Sequence, residues 1–275
     1  MDLPYFQVDA FSSRLFSGNP AGVCLLETWL PDETLQAIAA ENNQAETAFL
    51  IPKTDGYGLR WFTPAVEMDL CGHATLAAAH VLFRHMGLEG HQVLFETKSG
   101  ELGVARHGEL LSLDFPSRPA TACDVPSALV RGLGKFPAYT AKSSRDYLAV
   151  YETEEEVRAL APDFVELSRL DCLGVIATAP GMECDFVSRF FAPNAGVNED
   201  PVTGSAHCTL TPYWAEQIGR SELTARQVSA RGGELTCVLR HERVIMSGRA
   251  KTYLTGTIHL AADRRSWLAA AAAPA

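Results

Sequence analysis

The chain has 275 residues, of which 47% are hydrophobic and 20% charged, an ordinary globular balance with apolar mass for two domains or one large one. A formal net charge of −10 argues against a nucleic-acid binder, because neutralising phosphates takes a basic surface; it leaves room for a small anion held at a local positive site. Seven scattered cysteines without a Cys-x-x-Cys pair point to reduced thiols in a cytoplasmic protein and give no metal signature. No signal peptide is expected, and no apolar run reaches membrane-spanning length.

Taken in order, Tyr5–Phe11 alternates like a first strand, Ser17-Gly18-Asn19-Pro20 reads as a turn, and Ala21–Leu26 as a second, apolar strand. Asp32 is placed to cap a helix with the apolar stripe Leu35, Ile38 and Ala39, which ends near Asn42-Asn43. Gln44–Ile51 is a strand entered directly from that helix, with Glu46 at its mouth. Ala48 and Leu50 share the side of Glu46, while Thr47, Phe49 and Ile51 take the other. A carboxylate on an apolar face is partly desolvated, which raises its pKa and suits a group that takes and returns a proton.

The strand-like run 59–64 leads into Asp69-Leu70-Cys71-Gly72-His73-Ala74, where an alanine- and leucine-rich helix opens at Gly72. Such a helix is buried on nearly all sides. Its first N–H groups still need partners, and an anion at the positive end of the dipole supplies them. Gly72 lets the backbone come close to that anion, and His73 is expected to be neutral there, because the same dipole disfavours imidazolium. Three short strands follow between Gln92 and Phe115, and Pro116-Ser117-Arg118-Pro119 links to the remainder. There, strands are expected at 146–151, 173–178 and 184–191, a helix at 153–160, a second core helix at 205–217, and strands at 234–239, 243–246 and 253–260. Residues 267–274 read as a frayed helix or a disordered tail.

The plan repeats. Arg60-Trp61-Phe62-Thr63-Pro64 is echoed by Arg189-Phe190-Phe191-Ala192-Pro193, and Asp69–Ala74 by Asp200–Ala206. Pro64 precedes Gly72 by 8 residues (72 − 64) and Pro193 precedes Gly204 by 11 (204 − 193), so the second loop is three residues longer. Duplication of this kind predicts an α+β fold of two pseudo-symmetric, barrel-like halves, residues 1–117 and 118–275, each wrapped around a central helix. The halves face a shared cleft. Neither a GxGxxG nor a P-loop occurs, so no nucleotide cofactor is expected.

Glu46 is the general-base candidate. His73 can donate a hydrogen bond to a developing oxyanion. Asp200 can orient a substrate or position a proton donor, and Ser205 offers hydroxyl and backbone donors at the second helix start. A pair of thiols, one per half, would make a two-base racemase. Cys71 precedes Gly72, but Thr203 precedes Gly204, so acid–base work falls to carboxylates and Cys71 is read as a small buried residue.

These motifs resemble the PhzF family of phenazine-biosynthesis-like isomerases. The resemblance is carried by Val8-Asp9-Ala10-Phe11, Gly18-Asn19-Pro20, 41–49 with Glu46, Cys71-Gly72-His73-Ala74-Thr75, Asp200–His207, Arg231-Gly232-Gly233-Glu234 and Ser247-Gly248-Arg249-Ala250. It implies the diaminopimelate-epimerase-like fold, no cofactor and no metal, and commonly a homodimer. It also implies that Glu46 is the catalytic acid–base and that Gly72, His73, Asp200, Gly204 and Ser205 line the substrate site. The expected activity is a proton shift on a small anionic, amino-acid-like or cyclic dienyl substrate. An amino-acid racemase of the same fold and a non-catalytic binding protein are the alternatives.

Overall fold

The computed structural model of the protein describes residues 1–260, so the tail reading at 267–274 lies outside the described residues. The chain begins with β1 (Asp2–Ala10), β2 (Asn19–Leu25), α1 (Asp32–Asn42), β3 (Glu46–Lys53), β4 (Gly56–Phe62), β5 (Glu67–Met68), α2 (Gly72–Arg84), β6 (Gln92–Thr97), β7 (Gly100–His107) and β8 (Leu110–Pro116). It continues with β9 (Thr121–Ala122), α3 (Ser127–Leu133), β10 (Tyr139–Lys142), β11 (Asp146–Val150), α4 (Glu154–Ala159), α5 (Phe164–Leu167), β12 (Gly174–Pro180), β13 (Phe186–Ala192), β14 (Val197–Asp200) and α6 (Gly204–Ile218). The last strands are β15 (Glu222–Gln227), β16 (Gly233–Arg240), β17 (Arg243–Gly248) and β18 (Ala250–His259).

Strand pairing demonstrates the duplication. One half runs β18-β1-β2-β3-β4-β6-β7-β8. The other runs β9-β10-β11-β12-β13-β15-β16-β17. The two orders are the same, including the parallel pairs β2–β3 with β11–β12 and β4–β6 with β13–β15. Antiparallel β8 and β17 join the halves. The final strands are exchanged. β9 follows β8 but pairs with β10, and β18 follows β17 but pairs with β1.

Side chains repeat as well. Arg60 forks onto Glu67 (Nε–Oε1 2.6 Å, Nη2–Oε2 2.9 Å) with its guanidinium over Phe62. Arg189 forks onto Glu199 (2.7 and 2.8 Å) with its guanidinium over Phe191. Each pair braces the strand that delivers the chain to a core helix, and the two-pronged geometry sets direction as well as attraction.

In α2, residues from His73 to Ala79, then Val81 and Leu82, are buried. Burying a leucine- or valine-sized side chain stabilises by about 1.5–3 kcal/mol, so tertiary packing holds this helix more than propensity does. It packs on β1, β2, β3 and β8, and α6 packs on β15, β16 and β17. The outer layers are smaller. Leu35, Ile38 and Ala39 of α1 cover Phe49 and Phe62, while α3, α4 and α5 cover the second half through Leu129, Val157 and Leu167. One apolar cluster runs through both halves, joining Leu76 and Leu113 to Leu210 and Met246.

Two devices lock the halves together. Pro212 inside α6 has no N–H, which strips Cys208 O of its helical donor; the linker N–H of Arg118 donates to Cys208 O instead, at 2.8 Å. At the other end of the junction, Arg231 donates to Asp9 Oδ1 (2.7 Å) and Gly18 O (2.8 Å), while Gly18 N–H donates to Gly232 O (2.6 Å). Gly18 has φ +74, and a Cβ there would fall 2.2 Å from Ala10 O, so no other residue fits the turn. This explains why the Asp9 and Arg231-Gly232-Gly233 motifs, far apart in sequence, belong together.

Candidate active site

Glu46 is the first residue of β3, paired with Ala21 of β2. The strand's alternation aims it as the sequence predicts: Ala48 and Leu50 join the core around α2, and Phe49 and Ile51 join the cluster under α1. This carries the carboxylate to the N-terminus of α2. Glu46 Oε2 and His73 Nε2 approach to 3.0 Å. Their mutual angle is not that of a hydrogen bond, and both atoms are buried without a hydrogen-bond partner. A base and a donor thus lie side by side with no polar partner besides each other.

His73 is 5% exposed. Burial alone drives its pKa down, but Cys71 and Glu46 outweigh burial and hold it well above the ordinary histidine value. The expectation of a neutral His73 is therefore corrected: a neighbouring carboxylate at contact distance acts more strongly than a helix dipole, whose effect on a side chain is about 0.3–1 kcal/mol. Cys71 Sγ lies 3.5 Å from His73 Nδ1, and burial raises the thiol's pKa.

Asp200 reaches the same place from the second half. Asn19 Nδ2 donates to Asp200 Oδ1 at 2.8 Å and to Val202 O at 2.9 Å, and lies 3.2 Å from His73 Nδ1. The Thr203 hydroxyl donates to Asp200 Oδ2. Gln227 donates to Asp200 O at 2.6 Å and accepts from Thr203 N–H at 2.8 Å. Burial pushes Asp200 up to about 6, against the lowering pull of His73, Thr203 and Asn19. Glu46, His73 and Asp200 are therefore one electrostatic unit, built from β3, α2 and β14.

The register shifts one pairing read from sequence. Trp61 of β4 faces Met68 of β5, whereas Phe190 of β13 faces Asp200 of β14. Met68 lies four residues before Gly72 (72 − 68) and Asp200 four before Gly204 (204 − 200). Asp200 is thus the twin of Met68, not of Asp69. The three extra residues fall earlier, around the tight turn Pro193–Ala195. The Cys71–Thr203 equivalence holds, since both are helix N-caps.

Neither Cys71 nor Thr203 caps its helix through a side-chain hydrogen bond, so the starts at Gly72-His73 and Gly204-Ser205 keep anion-binding character. The close approach expected at Gly72 is not to protein: a Cβ there would meet the Phe115 ring at an ordinary 3.6 Å, and one at Gly204 would meet Phe11 at 3.7 Å. Ser205 stands apart from the Glu46 group and accepts from Arg145 Nη2 at 3.4 Å.

Asn19, Thr203 and Gln227 escaped the sequence reading as site residues. Asn19 lies in a turn-like Ser-Gly-Asn-Pro context, and only the folded chain reveals that its side chain meets His73 and Asp200. Among the described residues, Glu46, Cys71 and His73 bring one possible ligand atom each within 4.8 Å. The open cavities nearby, such as one of about 530 Å³ beside Arg231 and Glu234, do not include these groups, which lie enclosed where the halves meet. Among the described residues, no helix is long and apolar enough to cross a membrane.

Comparison with known proteins agrees with this architecture. An uncharacterized isomerase of Pseudomonas aeruginosa is 53% identical over 260 residues, covering 94% of this chain and 100% of its own length. The crystal structure of a PhzF-family protein from Enterococcus faecalis superposes with a TM-score of 0.93 at 45% identity, covering 94% of this chain and 100% of the other. A hydroxyproline epimerase from Agrobacterium vitis shares the fold alone, with a TM-score of 0.61 at 12% identity over 94% of this chain and 92% of the other. The family model described as phenazine biosynthesis-like protein matches residues 8–256, and with the duplicated halves and the enclosed carboxylates this places the chain in the PhzF family.

Proposed function

We propose that the protein is a cofactor-independent isomerase in which Glu46 moves a proton between two carbons on one face of a small anionic substrate. The observation that carries this reading is the buried pair Glu46 Oε2 and His73 Nε2, 3.0 Å apart and each without a hydrogen-bond partner. Glu46 takes a proton from a carbon acidified by a neighbouring carboxylate or conjugated system. His73, held in its charged form, stabilises the developing negative charge. The N–H groups at Gly72-His73 and Gly204-Ser205 receive the carboxylate, and preorganised donors of this kind are worth about 3 kcal/mol each, roughly a hundredfold in rate. Asp200, poised near pH 6, shares the proton traffic, since paired carboxyls in different surroundings divide acid and base roles.

A thiol-pair racemase is disfavoured because the twin of Cys71 is Thr203, whose hydroxyl is committed to Asp200. The relatives named isomerases support the reaction class; the proton shift itself, the cyclic dienyl or amino-acid-like substrate and the cytoplasmic setting belong to this proposal. The test is deuterium incorporation by NMR, with cyclic dienyl and ordinary amino acids in D₂O. Wild type should exchange a carbon-bound proton. Glu46→Gln, folded by circular dichroism, should lose exchange by about 10²-fold or more. Undiminished exchange in Glu46→Gln overturns the role of Glu46.

A further inference from the structure

The duplication locates the twin of the catalytic group. Thr47 pairs with Phe62 and Val175 with Phe191, so Gly174 is the counterpart of Glu46. Ala21 pairs with Glu46 and Asp146 with Gly174, so Asp146 is the counterpart of Ala21. Ser205 is the counterpart of His73, each being the second residue of its core helix. A side chain at Gly174 has no room, because its Cβ would fall 2.2 Å from the Phe190 ring. The second half therefore has no base at this place and carries charge one strand over, in Arg145-Asp146.

That charge is incompletely satisfied. Asp146 is fully buried, and neither carboxylate oxygen has a hydrogen-bond partner. Its contact with Arg145 Nε is 3.9 Å, too long for a hydrogen bond. Arg145 Nε and Arg118 Nη1 are also buried without partners. Arg118 is pinned alongside α6 by its N–H bond to Cys208 O, and Cys208, three residues beyond Ser205, shares its helix face. Arg118 and Arg145 both act electrostatically on Asp146 and Cys208. Two guanidiniums face one carboxylate beside the uncapped start of α6. Buried polar atoms in this condition call for a partner.

We propose that Arg118 and Arg145 form a subsite for a second carboxylate of the substrate, which makes the substrate a dicarboxylate. Asp146 orients the two guanidiniums. The inference rests on the proton-shift reading for its first anchor, the helix starts that hold the carboxylate nearest the reacting carbon. It adds a selectivity that this reading does not require.

The test is calorimetric titration with benzoate and with benzene-1,2-, 1,3- and 1,4-dicarboxylate, inert probes that vary only the second charge and its spacing. At least one dicarboxylate should bind wild type about tenfold or more tightly than benzoate, the scale of one charge-assisted hydrogen bond. Arg145→Gln and Arg118→Gln should bring that ratio to within about twofold of unity, and Arg145→Lys should keep most of it. If Arg145→Gln does not fold, Arg118→Gln and Arg145→Lys carry the test. No dicarboxylate preference in wild type, including no binding by any of the four probes, overturns the proposal. So does a ratio that survives both glutamine variants, or a uniform loss of all four affinities, which marks a structural role. Exchange in D₂O without a preference fells the subsite alone; a preference with exchange surviving in Glu46→Gln fells the base assignment alone.

Discussion

Glu46 and Asp200 differ in how they are held. Glu46 keeps a free oxygen beside His73, whereas Asp200 is tied on both oxygens, by Asn19 and by Thr203. Burial nevertheless dominates at Asp200 and lifts it to about 6. Between its ordinary value of 3.8 and about 6, the folded protein holds a proton there that the unfolded chain has lost. This group's contribution to stability therefore falls as pH rises through that window. The side-chain carboxyl ¹³C resonance of Asp200 should titrate with a midpoint near 6; a midpoint at the ordinary aspartate value contradicts the desolvated site. The direction of Glu46 was readable from strand alternation alone. The charge of His73 was not, because it depends on Cys71 and on a glutamate 27 residues away (73 − 46), brought close only by the β2–β3–α2 packing.

At the scale of elements, α2 was legible because an alanine-rich segment behind a glycine signals burial, and α6 because its start repeats that of α2. So was the aromatic strand before each, which the twin forks Arg60–Glu67 and Arg189–Glu199 now explain. Helices α3 and α5 and strands β5, β9, β10, β14 and β15 were not read. β10 spans only Tyr139–Lys142, and β15, Glu222–Gln227, alternates but carries Glu, Thr, Arg and Gln at four of its six positions. Its inward Leu223 and Ala225 gain their meaning from pairing with β13 and β16. The Asp200 register escaped for a related reason, since a three-residue insertion has no fixed place until strand pairs locate it. The twin analysis yields an element-level expectation. Gly174→Ala drives a methyl into the Phe190 ring where β12 meets β13, and should destabilise the protein by about 1–3 kcal/mol as read from its urea midpoint. An unchanged midpoint shows that β12 and β13 shift apart freely.

The whole molecule is one network of strands in which β9 and β18 change sides. This exchange, the shared apolar cluster and the Asp9–Arg231 latch make the halves interdependent. The site sits on their junction, so its geometry depends on that interdependence. Among the described residues β18 pairs only with β1, and its exposed Tyr253 and Leu254 lie with exposed Phe16, whose ring meets Tyr253 at 5.6 Å. We propose this face as the homodimer contact, since exposed apolar patches on a free strand edge favour association. Sedimentation velocity should show wild type at twice the chain mass and Leu254→Glu at the chain mass; a monomeric wild type removes the proposal.

The sequence by itself determined the duplicated plan, the two buried helices, the face on which Glu46 lies and the family. These follow from local pattern: period, glycine before an apolar helix, and motifs in fixed order. Tertiary structure decided what depends on distance. It set the charge on His73, the proton affinity of Asp200, the recruitment of Asn19 and Gln227, and the orphaned charges of Arg118, Arg145 and Asp146. Electrostatic energy and desolvation depend on separation in space, and residues such as Asn19 and Asp200, 181 positions apart, have no such separation until the chain folds.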